Sequence, residues 1–139
     1  MTVSSVTHLN FQGDARAALE FYRSVVDGRL VIATNEQAGF VDADAQQVAW
    51  GQVTADNGFH VMAYDVRPGQ VYDPGTNPFF LSLRGDTSEE ISALWAKLAE
   101  GATIVEPLAP TQWSPLYGML TDRFGVTWVV DVAVQYAAS

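Results

Sequence analysis

Thr7-His-Leu-Asn-Phe-Gln-Gly-Asp14 is written a second time, 72 residues later, as Phe79-Phe-Leu-Ser-Leu-Arg-Gly-Asp86. Leu9 falls on Leu81, Phe11 on Leu83, Gly13 on Gly85 and Asp14 on Asp86. Downstream, Leu19 falls on Ile91, Tyr22 on Leu94 and Val26 on Leu98. Each copy opens on alternating residues, breaks at Gly-Asp and continues with apolar residues at helical spacing. That is strand, turn and helix, twice.

Working outward, the first helix is expected over 15–27, with Ala15, Ala18, Leu19, Tyr22 and Val26 on one stripe. Asp14 is placed to accept its free amides and Gly28 to close it. The second is expected over 88–100, with Ile91, Leu94, Trp95 and Leu98 inward. Thr87-Ser-Glu-Glu90 reads as a capping box and Gly101 as the stop. Three extended runs follow each helix: 29–35, 47–54 and 59–66, then 103–106, 115–121 and 127–134. Asn57-Gly58 and Asp122-Arg-Phe-Gly125 are the hairpin turns. The interval 36–46 reads as an exposed loop. The expected class is therefore α+β, one domain over 1–139 built of repeats 3–66 and 78–134 with a linker at 67–77. Two βαβββ modules of this kind are expected to form a curled mixed sheet around a central cleft, helices outside.

Composition narrows the function. The chain has 139 residues, enough for one core, and 48% of them are hydrophobic, which excludes disorder. It has no cysteine, which excludes disulfides, thiolate metal sites and cysteine nucleophiles. The net charge of −9 repels phosphate backbones and anionic lipid, so neither nucleic acid nor a membrane is expected as partner. With no apolar run of about 20 residues and no signal-peptide pattern, the expectation is a cytoplasmic protein.

Three stretches carry a family resemblance: Leu9-Asn-Phe-Gln-Gly-Asp-Ala-Arg-Ala-Ala-Leu-Glu-Phe-Tyr22, Trp95-Ala-Lys-Leu-Ala-Glu-Gly101, and Trp113-Ser-Pro-Leu-Tyr-Gly-Met-Leu-Thr-Asp-Arg-Phe-Gly-Val-Thr-Trp128. With the duplicated βαβββ order they resemble the vicinal oxygen chelate superfamily, the glyoxalase, bleomycin-resistance and dioxygenase fold, and within it the PhnB-like branch. The resemblance implies a homodimer and a ligand cleft. Metal-using members of that superfamily converge three or four His, Gln or Glu ligands from equivalent strands. Counted from Phe21-Tyr22 and from Asp122-x-Phe-Gly125, those positions fall on Thr7, Met62, Phe79 and Val129. None is a strong ligand, and His8 stands one residue away, which in a strand is the opposite face. PhnB-like sequences also carry a Val-x-His-x-Glu pattern in the third strand. Here Val48-Ala-Trp-Gly-Gln-Val53 puts Trp50 and Gln52 in those places. No metal and no cofactor are therefore expected.

Strand parity supplies the expected cleft lining. Thr7, Leu9 and Phe11, with Phe79, Leu81 and Leu83 as counterparts, are read as the inward face of the first strands. His60, Met62 and Tyr64 share a face, as do Thr127, Val129 and Asp131. Trp50, Gln52, Trp113 and Tyr117 join them. The ligand-binding candidates are Thr7, Trp50, Gln52, His60, Tyr64, Trp113, Tyr117 and Asp131. That aromatic, sparsely polar set suits a flat or apolar small molecule. No Ser-His-Asp set, phosphate loop or dinucleotide turn is present, and nothing resembles a methyl-donor site on a doubly wound sheet. The leading reading is a metal-independent small-molecule-binding protein. The alternatives are a metal-dependent lyase, isomerase or dioxygenase of the glyoxalase type, and a protein-association domain with a vestigial cleft.

Overall fold

The computed structural model describes residues 2–134. Its elements run β1(Thr7–Phe11), α1(Ala15–Val26), β2(Arg29–Thr34), α2(Asn35–Ala38), β3(Val48–Thr54), β4(His60–Asp65), then β5(Leu81–Gly85), α3(Ser88–Leu98), β6(Thr103–Ala109), β7(Tyr117–Thr121) and β8(Thr127–Val132). The chain divides into two compact units between Gly75 and Thr76.

The fold class is α+β. Each unit is a four-stranded mixed sheet, ordered β1-β4-β3-β2 in the first and β5-β8-β7-β6 in the second. In both, the first strand runs parallel to the last and the remaining pairs are antiparallel. Val61 and Trp128 both stand three residues after a turn glycine with positive φ, Gly58 and Gly125. Their partners across the ladder are Thr7 and Leu81, so the first strand of the second unit is slid by two residues relative to the sequence repeat. A slide of two preserves which face each side chain takes.

Glycines identify the face that each helix covers. A Cβ on Gly51 would come 2.5 Å from Leu19 Cδ1, so this side of the first sheet lies under α1. Gly51 pairs with Ala63, and Ala63 with Leu9, placing Leu9, Phe11, Val53, Val61 and Ala63 beneath the helix, all buried. In the second unit a Cβ on Gly85 would meet Ile91 at 2.8 Å, and one on Gly118 would meet the Trp95 ring at 2.9 Å. Leu81, Leu120, Trp128, Val130 and Val132 form that core.

Four local expectations need correction. Asp14 makes no capping hydrogen bond; instead Asp65 Oδ1, at the end of β4, accepts from Gly13 N at 2.7 Å and Ala15 N at 3.1 Å. At the other end of α1 it is Asp27, not Gly28, that takes the left-handed conformation, with φ 53°. Gly28 is small for a different reason: a Cβ there would lie 2.6 Å from the Thr54 carbonyl oxygen. Within the expected 36–46 loop lies part of α2, nucleated by a complete capping box in which Thr34 and Gln37 exchange hydrogen bonds. Finally, β6 runs on to Ala109, bulged around Pro107, which an edge strand tolerates because its outer amides need no partner. No helix among the described residues is long and apolar enough to cross a membrane.

Candidate functional site

Each sheet has one helix-covered face and one face that no helix covers, and the polar and aromatic candidates collect on the latter. On the first sheet the ladder sets His8 beside Met62, Met62 beside Gln52, Asn10 beside Tyr64 and Thr54 beside His60. Trp50 extends the same face toward Ala33 of β2. His8 Nδ1 lies 3.0 Å from Asn10 Oδ1, and His60 Nε2 lies 3.0 Å from Gln52 Oε1. Both imidazoles donate in these bonds, because each faces an amide oxygen. The His8 and Tyr64 rings meet edge to face at 5.0 Å. The Tyr64 hydroxyl donates to Gln70 Oε1 at 2.9 Å, and the same oxygen accepts from Arg67 N. A turn at 67–70 thereby fixes the phenol from beyond the end of β4.

On the second sheet Ser82, Arg84, Tyr117, Met119, Thr121, Thr127, Val129 and Asp131 share the helix-free face. Arg84 Nε donates to Asp131 Oδ1 at 3.0 Å, and the carboxylate is the covered partner, at 14% side-chain exposure against 51% for Arg84. Tyr117 is the cross-strand neighbour of Asp131, and the exposed Trp113 ring stands edge-on to Tyr117 at 5.3 Å. Thr121 and Thr127 hydroxyls share a hydrogen bond of 2.8 Å.

Of the candidates expected from the sequence all but Thr7 stand on or beside the helix-free faces, whereas the inward faces expected for β1 and β5 are the helix-covered ones. Trp50, Gln52, His60 and Tyr64 stand together on the first sheet, and Trp113, Tyr117 and Asp131 on the second. Thr7 does not join them: it pairs with Val61 on the helix side of β1. Leu9, Phe11, Leu81 and Leu83 are helix-side residues as well, and Phe79 precedes β5 altogether. The missed residues are His8, Asn10 and Arg84. The alternation separates His8 and Asn10 from Leu9 and Phe11, and the helix over Leu9 and Phe11 is what assigns the polar pair to the uncovered side.

Each helix-free face can be tested by itself for the ion that the family resemblance implies. Side by side on the helix-free faces are His8 with Met62 and Ser82 with Val129. The first pair offers one imidazole and a soft thioether, and the second one neutral hydroxyl. A divalent ion asks for three or four imidazole or carboxylate ligands, and at these positions neither face by itself supplies them. Among the described residues no three of His, Cys, Asp and Glu gather where a metal could be held.

A separate hollow of about 320 Å3 opens beside the start of α1, lined by Gly13, Arg16, Asp44, Gln47 and Asp65 among others. Its buried carboxylate is already engaged by three backbone amides, those of Gly13, Ala15 and Val48.

Comparison with known proteins agrees with this architecture. The family model described as Glyoxalase/Bleomycin resistance protein/Dioxygenase superfamily matches residues 5–130. A solved protein from Pseudomonas aeruginosa is 31% identical, with 94% of this chain and 98% of that one covered and a TM-score of 0.81. A Bacillus cereus protein described as a putative 3-demethylubiquinone-9 3-methyltransferase, PhnB protein, is 28% identical over 94% of this chain and all of its own, with a TM-score of 0.73. A glyoxylase/bleomycin resistance protein/dioxygenase domain from Frankia sp. shares the fold at 14% identity, covering 96% and 99% of the two chains at a TM-score of 0.65. No curated protein matches.

Proposed function

We propose that this chain, which belongs to the glyoxalase/bleomycin resistance protein/dioxygenase superfamily, is a metal-independent small-molecule-binding protein whose two modules act as one domain. The ligand is aromatic or apolar and lies against the helix-free sheet faces. The observation that carries this reading is the edge-to-face Trp113–Tyr117 pair beside half-buried Asp131, on a face no helix covers. Aromatic faces of this kind hold flat molecules by stacking, and the few polar groups beside them set orientation. The weak donors on each face, His8 with Met62 on the first and Ser82 with Val129 on the second, favour binding without an ion over the metal-dependent enzymes of the superfamily. The methyltransferase description belongs to the Bacillus cereus protein and is not carried over, because nothing on either face resembles a methyl-donor site.

The same reading includes a homodimer. Each sheet ends in edge strands, and β2 and β6 carry the half-exposed Val31, Ile104 and Val105. Sedimentation that shows only the 15.1 kDa species at tens of micromolar rejects the dimer.

Thermal-shift screening against flat aromatic compounds, with and without a chelator, tests the main reading. Stabilisation follows RT ln(1 + [L]/Kd). Aromatic compounds are expected to raise the melting temperature, and the chelator to leave it unchanged. About one tightly held transition-metal ion per chain, lost together with stability on chelation, rejects metal independence.

A further inference from the structure

Arg84 is the only Lys or Arg in the four strands of the second sheet, and it stands on the helix-free face. Arg84, Asp131 and Tyr117 form one row across β5, β8 and β7. Neighbouring strands lie about 4.8 Å apart, so the two ends of the row are roughly 10 Å from each other at the backbone. Trp113 widens the aromatic end of that row.

The ion pair is lopsided in a useful way. Asp131 is the covered partner and Arg84 the uncovered one. Asp131 engages Arg84 through Nε, which steadies the guanidinium plane without using its terminal nitrogens. A molecule arriving at this face therefore meets terminal N–H donors already held in place, and behind them a carboxylate whose charge is spent on Arg84. A planar two-oxygen anion matches that fork in geometry. A dianion such as a phosphate ester is less suited, because it approaches a chain with a net charge of −9.

We infer that Arg84, braced by Asp131, is the anion-recognising residue of this face, and that the ligand class is a flat aromatic carboxylate with its ring on Trp113 and Tyr117. This rests on the reading that the helix-free face takes a small molecule. The test titrates the full chain with three probes of one ring system: naphthoate, naphthalenemethanol and naphthylmethylammonium. Calorimetry gives the affinities, and the Trp113 indole N–H resonance, assigned with Trp113→Phe, gives the location. Naphthoate is expected to bind about tenfold tighter than the alcohol, as a charge-assisted bidentate contact would provide, with the ammonium weakest. Arg84→Gln should bring naphthoate to the level of the alcohol while leaving the affinity for the alcohol unchanged, and Arg84→Lys should keep part of the preference. If Arg84→Gln does not fold, the ranking of the three probes on the unaltered protein still decides. Equal binding of acid and alcohol, tighter binding of the ammonium, or a preference that survives Arg84→Gln overturns the role of Arg84 and leaves the small-molecule reading standing. No binding of any probe at millimolar concentration overturns both.

Discussion

The two modules share one ladder and hold it together with different buried carboxylates. In the first, Asp65 at the end of β4 is 2% exposed and accepts from Gly13 N, Ala15 N and Val48 N, tying β4 to the start of α1 and to β3. Counted from the turn glycines, its counterpart in the second module is Val132, which can accept nothing through its side chain. The second module places its carboxylate in the β7–β8 turn, where Asp122 accepts from Phe124 N, Val126 N and Trp128 Nε1. The counterpart of Asp122 in the first module is Ala55. The two carboxylates thus serve different donors: Asp65 holds the starts of α1 and β3, and Asp122 holds the amides of its own turn and an indole, while in the first module the matching turn amide, Phe59 N, is taken by Asn57 Oδ1. The lesson is that a repeat conserves the ladder while its caps and clamps remain free to vary.

The largest expected effect breaks that comparison at its strongest point. Asp65→Ala leaves three amides in a buried setting without their acceptor. Bonds to a charged group contribute about 1.5–3 kcal/mol each and do not add fully, so a loss of about 3–5 kcal/mol is expected. Urea denaturation read by far-ultraviolet circular dichroism measures it. Val132→Ala removes only two methyl groups from the matching position and should cost clearly less. Equal losses would mean that Asp65 acts by volume, not by clamping.

Next in size is Asp122→Ala, at about 2–3 kcal/mol. Two of its three donors lie in a turn, beside the exposed Arg123 and Gly125, where water can replace the carboxylate. The third, Trp128 Nε1, belongs to a ring that is 2% exposed and would be stranded. A smaller loss than in Asp65→Ala, accompanied by a change in Trp fluorescence, is the expected result. A loss equal to that of Asp65→Ala would show that the turn is as closed to water as the clamp.

A third pair compares how tightly each helix sits on its sheet. A Cβ at Gly118 would lie 2.9 Å from the Trp95 ring and 3.0 Å from Leu108 Cα, both stiff neighbours. At Gly51 the nearest atom is a terminal methyl of Leu19, which can turn away. Gly118→Ala should therefore cost about 1–3 kcal/mol by overpacking, and Gly51→Ala less. The reverse order of melting temperatures would mean that α1, not α3, is the tighter lid.

What could be read from the sequence follows the range of each interaction. The elements were legible because periodicity is local: alternation marked β3 and β4, and the stripe from Ala15 to Val26 marked α1. The two turns were legible from Gly58 and Gly125, which sit where positive φ is needed. Which face of a strand is covered was not, because a period of two distinguishes faces without naming them. The covering helix alone names them, through contacts such as Leu19 over Gly51. For that reason parity alone leaves Thr7 and His8 equally eligible for the uncovered face, and the expectation for Thr7 fails. Asp65 was invisible as a cap because it lies 50 residues along the chain from Ala15, whose amide it binds. The Tyr117–Gly125 run that carries much of the family resemblance turns out to hold structural residues, Gly118 under Trp95 and Asp122 in its turn, as well as the aromatic Tyr117.

The smallest effect separates a local cap from a distant one. Thr87 accepts from Glu90 N at 3.2 Å and is the side-chain cap of α3. The Asp14 side chain, in the matching place before α1, bonds no amide of that helix, and Ala15 N is held by Asp65 instead. An N-cap threonine changed to alanine costs about 1 kcal/mol, so Thr87→Ala should lower stability by about that amount. Asp14→Ala should change it by no more than about 0.5 kcal/mol, the residual attraction between a carboxylate and the positive end of the helix. Added salt separates the two contributions, because screening removes the attraction and leaves a hydrogen-bonded cap nearly intact. The Asp14→Ala effect should shrink with salt while the Thr87→Ala effect persists. A salt-resistant loss of about 1 kcal/mol in Asp14→Ala would instead mean that Asp14 caps α1 in solution, and the difference between the two modules at their helix starts would disappear.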